Sequence, residues 1–463
     1  MSRITGALIL FFMLVVPCRA QQAAPKAELL IKLSVVPAGA PEPALKYLLL
    51  PELREMKPGN PVQGYLRCYL ERYRFVFDQE EFDRRQTLLA MPLDEVPGPD
   101  VVEVGNFTLA QVDEAARLDN PDWQILLRLK ADGFETLLPD VQSMRVLARG
   151  LVVRFRAEVA GGRVDDAIRT AKTMFAMSRH LGEHVTFIGS LVGIAVASMA
   201  IGPLEELLEQ PACPNLYWAL TNLPDPFISI KTSLQGERLT LWEYSHHLDS
   251  IAPMSDREVS DLVDKIEKLF GGDSPFKASG GLKVYLAACG KDPQKMAAAR
   301  KRLVQTGVAE ALVSSLPPAQ IVLLDEEREL RARFDEIARY MQFPAWQFEA
   351  LNEKVKSAKR APALLADALS PSMGPMRRAV ARLDQRIALL RHAEALRMYA
   401  AEHNGTFPAT LADISVPLPS DPITNKPFLY EVGGKTAHLR GTPPKGDENN
   451  RFFNVHYELT LKN

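Results

Sequence analysis

Residues 163–182 read RVDDAIRTAKTMFAMSRHLG, and the spacing of their apolar side chains decides the fold class. Apolar and small residues recur at steps of three and four, which predicts one buried face of an α-helix. That face comprises Val164, Ala167, Ile168, Ala171, Met174, Phe175 and Ser178. Gly161 and Gly162 end an earlier helix that starts near Pro139, and Gly182 ends this one. Two helices joined by a glycine turn form a helical hairpin.

The same helical period recurs through most of the chain. Further helices are predicted at 61–77, 225–245, 256–270, 292–306, 318–341, 345–358 and 375–404. Thr108 with Gln111 and Ser255 with Glu258 have the spacing of capping boxes, which mark helix starts. The first hairpin resembles a tetratricopeptide unit, but no recurrence of about 34 residues surrounds it. The pattern therefore favours an irregular multi-helix bundle.

Near the C-terminus the period changes from that of a helix to that of a strand. Alternating apolar residues at 428–432, a Gly433-Gly434 turn and a returning segment at 435–439 predict a β-hairpin. A further strand is predicted at 453–461, where apolar and polar residues alternate strictly. We therefore expect a mainly α protein, an irregular multi-helix bundle of helical hairpins with a small antiparallel β module at the C-terminus.

The N-terminus has the three parts of a secretory signal peptide. Arg3 gives a positive start, 7–16 is an uncharged apolar run, and Ala20 is a small residue at the cleavage position. This predicts export to the periplasm or cell envelope. Two alternatives are a lipoprotein that is lipidated at Cys18 and an uncleaved N-terminal anchor.

We expect four parts along the chain. They are a signal peptide at 1–20, an extended Pro-rich segment at 21–60, a helical body at 61–374, and a long helix with the β module at 375–463. The 463 residues can supply several hydrophobic cores.

Charge and cysteine content exclude some classes of function. The chain has 55 Lys and Arg against 57 Asp and Glu, and loss of two arginines with the signal peptide changes the net charge from −2 to −4. A nucleic-acid partner is not expected, because no basic excess attracts one. The mature chain keeps Cys68, Cys213 and Cys289, which cannot all pair within one chain, so a disulfide framework is excluded and any single pairing stays open.

Two stretches carry a resemblance to exported proteins. Residues 44–60 read ALKYLLLPELREMKPGN, and residues 216–225 read LYWALTNLPD, with Gly236-Glu237-Arg238 downstream. These resemble a family of uncharacterised exported helical proteins that is abundant in planctomycete bacteria. The resemblance extends loosely over most of the mature chain and implies a helical fold and export, without an assigned activity.

The C-terminal region resembles the C-terminal part of the major pseudopilins of type II secretion. The likeness begins at Leu390 and rests on a long helix followed by 402–408 (EHNGTFP), Asp421-Pro422 and 427–430 (PFLY). It implies a helix that leads through a Gly-x-x-Pro turn into a small sheet. The chain lacks the methylated N-terminal helix of pseudopilins, and 441–449 has no clear match to their Ca²⁺ loop. We therefore expect a shared local module rather than a filament subunit.

One short motif suggests metal chemistry. His180, Glu183 and His184 match the H-x-x-E-H order of inverted zinc peptidases, in which both imidazoles lie on one helical face and the Glu acts as base. Gly182 lies inside the motif, at the position where the helix is predicted to end. We therefore expect His180 at a helix end and His184 in the following loop, and a zinc-dependent hydrolase stays an alternative.

An uncharged stretch follows this motif. Residues 185–204 carry no charge and are long enough to cross a bilayer. Gly189, Gly193 and Ala197 place small residues four apart, which allows close helix packing in a membrane or in a soluble bundle. We favour a central packed helix and keep membrane insertion as an alternative.

The remaining candidates suggest ordinary structural roles. Neighbouring His246 and His247 point about 100° apart on a helix, which favours surface histidines over a metal site. Trp218, Trp242 and Trp346 are expected to fill a core. No phosphate loop, dinucleotide fingerprint or nucleophile elbow is present in the sequence. The sequence thus favours a non-enzymatic exported protein without a cofactor, which binds a protein or another envelope partner or acts as a scaffold.

Overall fold

A computed structural model describes residues 28–462, apart from 72–77, 103–105, 134–135, 241–245, 250, 269–275, 278–279, 358–362 and 370–372. The protein is mainly α-helical with a small sheet, which confirms the predicted fold class. The predicted signal peptide at 1–20 lies outside the described residues, so it stays a prediction.

We number the described helices in chain order. They are α1 Pro61–Glu71, α2 Gln79–Ala90, α3 Asn106–Ala115, α4 Leu126–Asp132, α5 Pro139–Ala160, α6 Val164–Gly182, α7 Phe187–Leu208, α8 Tyr217–Thr221, α9 Lys231–Leu239, α10 Asp256–Lys268, α11 Leu282–Lys291, α12 Pro293–Gln305, α13 Glu310–Ser315, α14 Pro318–Tyr340, α15 Ala345–Ser357, α16 Leu364–Leu369 and α17 Met373–Glu402. Single 3-10 turns lie at Leu93–Glu95, His246–Leu248 and Leu411–Asp413.

Local sequence chemistry sets several helix starts. Pro139 is the first residue of α5, and α5 ends at Ala160 immediately before the glycine turn. At the start of α10 the capping box is confirmed, because the Ser255 N–H donates to Glu258 Oε2 at 2.7 Å and the Glu258 N–H donates to Ser255 Oγ at 3.3 Å. The capping box predicted at Thr108 is wrong, since α3 already begins at Asn106.

Helices α5, α6 and α7 form the central stack of the molecule. Their mutual contacts are among the most extensive between helices, and α7 also meets α9, α17 and the sheet. The predicted stripe of small residues lies in the α6–α7 contact. Ser178 Oγ donates to the Gly193 carbonyl at 2.7 Å, and a Cβ on Gly193 would lie 2.8 Å from the Ser178 carbonyl oxygen. Glycine therefore allows the two helix backbones to approach closely.

The sheet differs from the predicted antiparallel module. It has four strands in the order β1-β4-β3-β2, namely β1 Leu29–Val35, β2 Leu429–Gly433, β3 Thr436–Arg440 and β4 Val455–Leu461. The β2–β3 hairpin turns after Gly433 as predicted, and β3 pairs antiparallel with β4. Strand β1 pairs in parallel with β4, from Leu29 opposite Val455 to Val35 opposite Leu461.

This pairing gives the predicted extended segment at 21–60 a place in the fold, because the segment contains β1. Its strand is part of the C-terminal sheet and contributes buried Leu33 and Val35 to the main core. The local sequence of β1 does not predict its pairing in the sheet, because its partner strand β4 lies at the other end of the chain.

Most buried apolar residues of the helical body at 61–374 fall into two large hydrophobic clusters. The main cluster takes in α1 to α3, α5 to α9, α17 and the sheet, whereas a second cluster is built by α10 to α14 with Leu365 of α16. Helix α14 links them, because Ile321 and Leu324 lie in the second cluster and Phe334 lies in the first.

A buried ion pair joins α17 to the N-terminal segment. Arg397 Nη1 donates to Glu394 Oε2 at 2.7 Å, and both side chains are fully buried. Arg397 Nε also donates to the Val36 carbonyl at 2.9 Å, and the Leu216 N–H donates to Glu394 Oε1 at 3.0 Å. The pair therefore holds three distant segments of the chain together.

Candidate functional site at the end of helix α6

The structure separates the three residues of the predicted zinc motif. His180 lies in the last turn of α6, which ends at Gly182, whereas Glu183 and His184 lie in the turn that follows. Tyr65 Oη and His180 Nδ1 are 2.9 Å apart, and the Thr186 N–H donates to His184 Nδ1 at 3.1 Å.

The three side chains do not converge on one point. Glu183 is exposed and accepts a hydrogen bond of 3.4 Å from Thr232 Oγ1, whereas both imidazoles are buried. Across the described residues no three His, Cys, Asp or Glu side chains are arranged to hold a metal ion. The expectation that Gly182 interrupts the motif agrees with this geometry.

Both histidines of the motif are buried and neutral at pH 7. Burial lowers the pKa of His180 to about 4, and the neighbouring Arg179 cation lowers it further. Burial also lowers the pKa of His184 to about 4, against the opposing charge of Asp140. The His184 ring contacts Trp123 edge-on, with 5.0 Å between the ring centroids. The imidazole rings of His180 and His184 are therefore packed in the protein interior.

A cleft of about 480 Å³ opens beside the end of α6. Three segments line it: the N-terminal loop before α1, the loop after α3, and the last turns of α6. The lining residues are Leu50, Pro51, Met56, Ala116, Asp119, Asn120, Pro121, Ala176, Arg179, His180 and Glu183. Its size lies in the range of about 300–1,000 Å³ that is typical of ligand sites.

Hydrogen bonds fix the loops on both sides of the cleft. The Lys57 N–H donates to the Arg117 carbonyl at 2.8 Å, and the Asn120 N–H donates to the Gly59 carbonyl at 3.0 Å. The Gly59 N–H in turn donates to Asp119 Oδ1 at 3.1 Å. The loop before α1 and the loop after α3 are thus tied together, and the cleft between them and α6 is preformed.

A second tie holds the N-terminal loop to α6. Lys172 Nζ lies 2.8 Å from Glu55 Oε2, and this hydrogen bond and ion pair lower the pKa of Glu55 below its usual value although burial raises it. Since Glu55 adjoins Met56, the ion pair fixes the apolar side of the cleft.

The cleft combines an apolar lining with a few charges at its rim. Ala116 and Ala176 are buried, and Leu50 and Met56 are half-buried. Arg179 supplies one positive charge, while Asp119 and Glu183 supply negative charges on exposed side chains. This arrangement fits a ligand that buries an apolar group and presents polar groups of both signs.

Only part of this site could be predicted from the sequence. Of its lining residues, His180 and Glu183 were candidates because of the zinc motif, whereas Met56, Asp119 and Arg179 were not. The Asn120-Pro121 dipeptide is a turn signal that could have pointed to the loop. Nothing local indicates that this loop meets the segment before α1.

The other candidate residues have separate positions. His246 begins the 3-10 turn His246–Leu248, one residue beyond the predicted helix 225–245. That helix starts later than predicted, since α9 covers Lys231–Leu239 and residues 225–230 are not helical. Trp218 is half-buried against Tyr217, but Trp346 is 37% exposed, so the expectation that it fills a core is wrong. Trp242 lies outside the described residues. Cys68, Cys213 and Cys289 are all buried, and none of them forms a disulfide within the described part of the chain.

Helix α7 is long and apolar enough to cross a membrane by length and composition, and 61% of its most apolar window is buried inside the protein. The helix contacts α5, α6, α9, α17 and β1. These contacts agree with the interpretation of 185–204 as a central packed helix.

A smaller cavity of about 50 Å³ lies between α17 and the loop after α8, and Asp225, Asp384 and Arg391 are among its lining residues. Asp384 Oδ1 accepts a hydrogen bond of 3.0 Å from the Phe227 N–H. Burial raises the pKa of Asp384 to about 7, and the neighbouring Asp225 contributes in the same direction.

Comparisons with protein-family models, with curated proteins and with solved structures find no match to this chain.

Proposed function

We propose that this protein is an exported, non-enzymatic binding protein of the cell envelope, and that a segment of a partner protein binds in the cleft at the end of α6. The observation that carries the proposal is the cleft itself, which has preformed sides, an apolar lining and charges at its rim. Such a site binds by burying apolar surface and orients its ligand with a few polar contacts.

The charges at the rim support a protein ligand. Arg179 can hold a carboxylate or a backbone carbonyl of the partner, and Asp119 and Glu183 can accept hydrogen bonds from its N–H groups or hold a basic side chain. The half-buried thioether of Met56 adapts to apolar side chains of different shapes. Export remains the prediction of the sequence at 1–20.

The cleft can be tested by filling it. We expect Met56→Trp to occupy the cleft and to reduce capture of partners from an envelope fraction by at least tenfold. The matched control is Leu53→Trp, three residues earlier in the same loop, where the side chain is 93% exposed and outside the cleft. Equal capture by both variants and by the unmodified protein would reject the cleft as the binding site.

The zinc-dependent hydrolase with His180, Glu183 and His184 is the alternative from the sequence, and the separate positions of these three side chains do not favour it. Elemental analysis of the purified mature protein tests it. Stoichiometric zinc that is lost on His180→Ala would favour the hydrolase, whereas our proposal expects no zinc that depends on His180. Insertion through 185–204 is the third hypothesis, and the binding-protein proposal expects carbonate extraction to release the protein from membranes.

A further inference from the structure

Two histidines meet on the outer face of the sheet. His438 of β3 and His456 of β4 are not directly opposite in the ladder, since His438 pairs with Glu458 and His456 pairs with Arg440. Their rings nevertheless converge, with His438 Nδ1 2.9 Å from His456 Nε2. The His456 side chain is only 6% exposed, whereas His438 is half-buried.

An acidic residue lies beside the inner ring. Glu28, just before β1, places Oε1 3.0 Å from His456 Nδ1, without the geometry of a hydrogen bond. Its negative charge behind the ring favours a cation bound at the other nitrogen, Nε2, which faces His438.

The distance between the two nitrogens is close to that of a metal chelate. A tetrahedral ion with metal–nitrogen bonds of about 2.0–2.1 Å places two ligand nitrogens about 3.4 Å apart. The gap of 2.9 Å must therefore widen by about 0.5 Å for both nitrogens to bind one ion.

We propose that His438 and His456 form a binding site for a late first-row transition metal ion, such as Cu²⁺, Ni²⁺ or Zn²⁺. Imidazole nitrogens suit these ions, and Cu²⁺ binds most tightly among them. No third His, Cys, Asp or Glu converges there in the described part of the chain, so water fills the remaining positions.

The surrounding charges tolerate a cation. Glu458 lies opposite His438 in the ladder and pairs with Lys32 at 3.3 Å. Arg440 is held by two carboxylates, with Nε 3.4 Å from Glu28 Oε1 and Nη1 3.8 Å from Glu431 Oε2. A bound ion connects β3 to β4, and through Glu28 it also favours the docked position of the N-terminal segment.

Titration of the mature protein, without an affinity tag, with NiCl₂ tests the site by calorimetry at neutral pH. We expect one equivalent to bind, His438→Gln to weaken the affinity at least tenfold, and Glu28→Gln to weaken it about tenfold. His403→Gln is the control, because His403 is an exposed histidine stacked on Tyr399 at the end of α17. Thermal melting gives a second readout, in which Ni²⁺ raises the Tm of the unmodified protein but not that of His438→Gln. An absence of binding, or equal binding by His438→Gln and His403→Gln, would overturn the proposal.

Discussion

The Ser178 hydroxyl donates a hydrogen bond of 2.7 Å to the backbone carbonyl of Gly193, across the contact between α6 and α7. This bond is made where glycine lets two helices approach closely, at the centre of the stack that also places Arg179 beside the cleft. Because Ser178 directly precedes Arg179, this close contact also fixes the part of α6 that lines the cleft.

Gly193→Ala should destabilise the protein by about 1–3 kcal/mol, because its Cβ would lie 2.8 Å from the Ser178 carbonyl oxygen and would push the helices apart. Gly202→Ala on the same helix is the control. A Cβ there meets no atom within 4 Å outside the neighbouring residues. Because Pro203 follows and opposes the helix preference of alanine, we expect a change of less than about 1 kcal/mol. Urea unfolding measures both variants, and equal stability of the two would contradict the close contact.

Arg397→Ala should cost about 3–5 kcal/mol, because it leaves the buried Glu394 carboxylate without its cation. Arg169→Ala is the surface control: Arg169 is an exposed partner of Asp166 at 2.9 Å, and its loss should change stability by less than about 1 kcal/mol. Chemical denaturation gives both values. A small effect at Arg397 would mean that the N-terminal segment is not held by this pair.

Leu33→Ala in strand β1 should destabilise the protein by about 2–4 kcal/mol, because Leu33 is buried in the main core. Leu30→Ala tests the opposite face of the same strand, where the side chain is 42% exposed, and should cost less than about 1 kcal/mol. Equal losses in thermal unfolding would show that β1 does not pack as the sheet requires.

The stability of the protein should depend on the charge of Asp384. Its folded-state pKa of about 7 lies above the ordinary value of 3.8, so its stabilising contribution is complete below pH 3.8 and is lost as the pH rises through 7. The free energy of unfolding should therefore fall relative to Asp384→Asn between these pH values.

The Asp384→Asn variant is needed as a reference, because three buried histidines change the free energy of unfolding with pH in the opposite direction. The pKa values of His180, His184 and His392 are lowered to about 4, so their contribution is lost as the pH falls from 6.5 toward 4. These histidines are present in both proteins and cancel in the difference. If the difference in the free energy of unfolding between the two proteins does not change with pH, the raised pKa of Asp384 is contradicted.

The sequence predicts those helices and strands whose apolar residues repeat regularly within one continuous segment. The hairpin at 139–182, the long helix α17 and the β2–β3 hairpin follow from the spacing of neighbouring residues and from their glycine turns. The glycine at 182 also predicted that His184 lies beyond the helix. The resemblance to planctomycete proteins and to pseudopilins stays a prediction.

Features that join distant segments could not be predicted in this way. Strand β1 pairs with β4 across more than four hundred residues, so neither pattern alone indicates the parallel ladder. The cleft unites three segments, and Arg179 gains its role only because the loop containing Met56 folds against it. Likewise, His438 and His456 lie on separate strands and form no sequence motif.

Site-specific photocrosslinking tests the central claim most directly. A benzophenone amino acid is introduced at Met56, inside the cleft, or at Leu53, outside it, and cells that produce the protein are irradiated intact. The account predicts a discrete adduct with a partner protein from position 56, which Arg179→Ala weakens, and no such adduct from position 53. No adduct at position 56, or the same adduct from both positions, would contradict binding in the cleft.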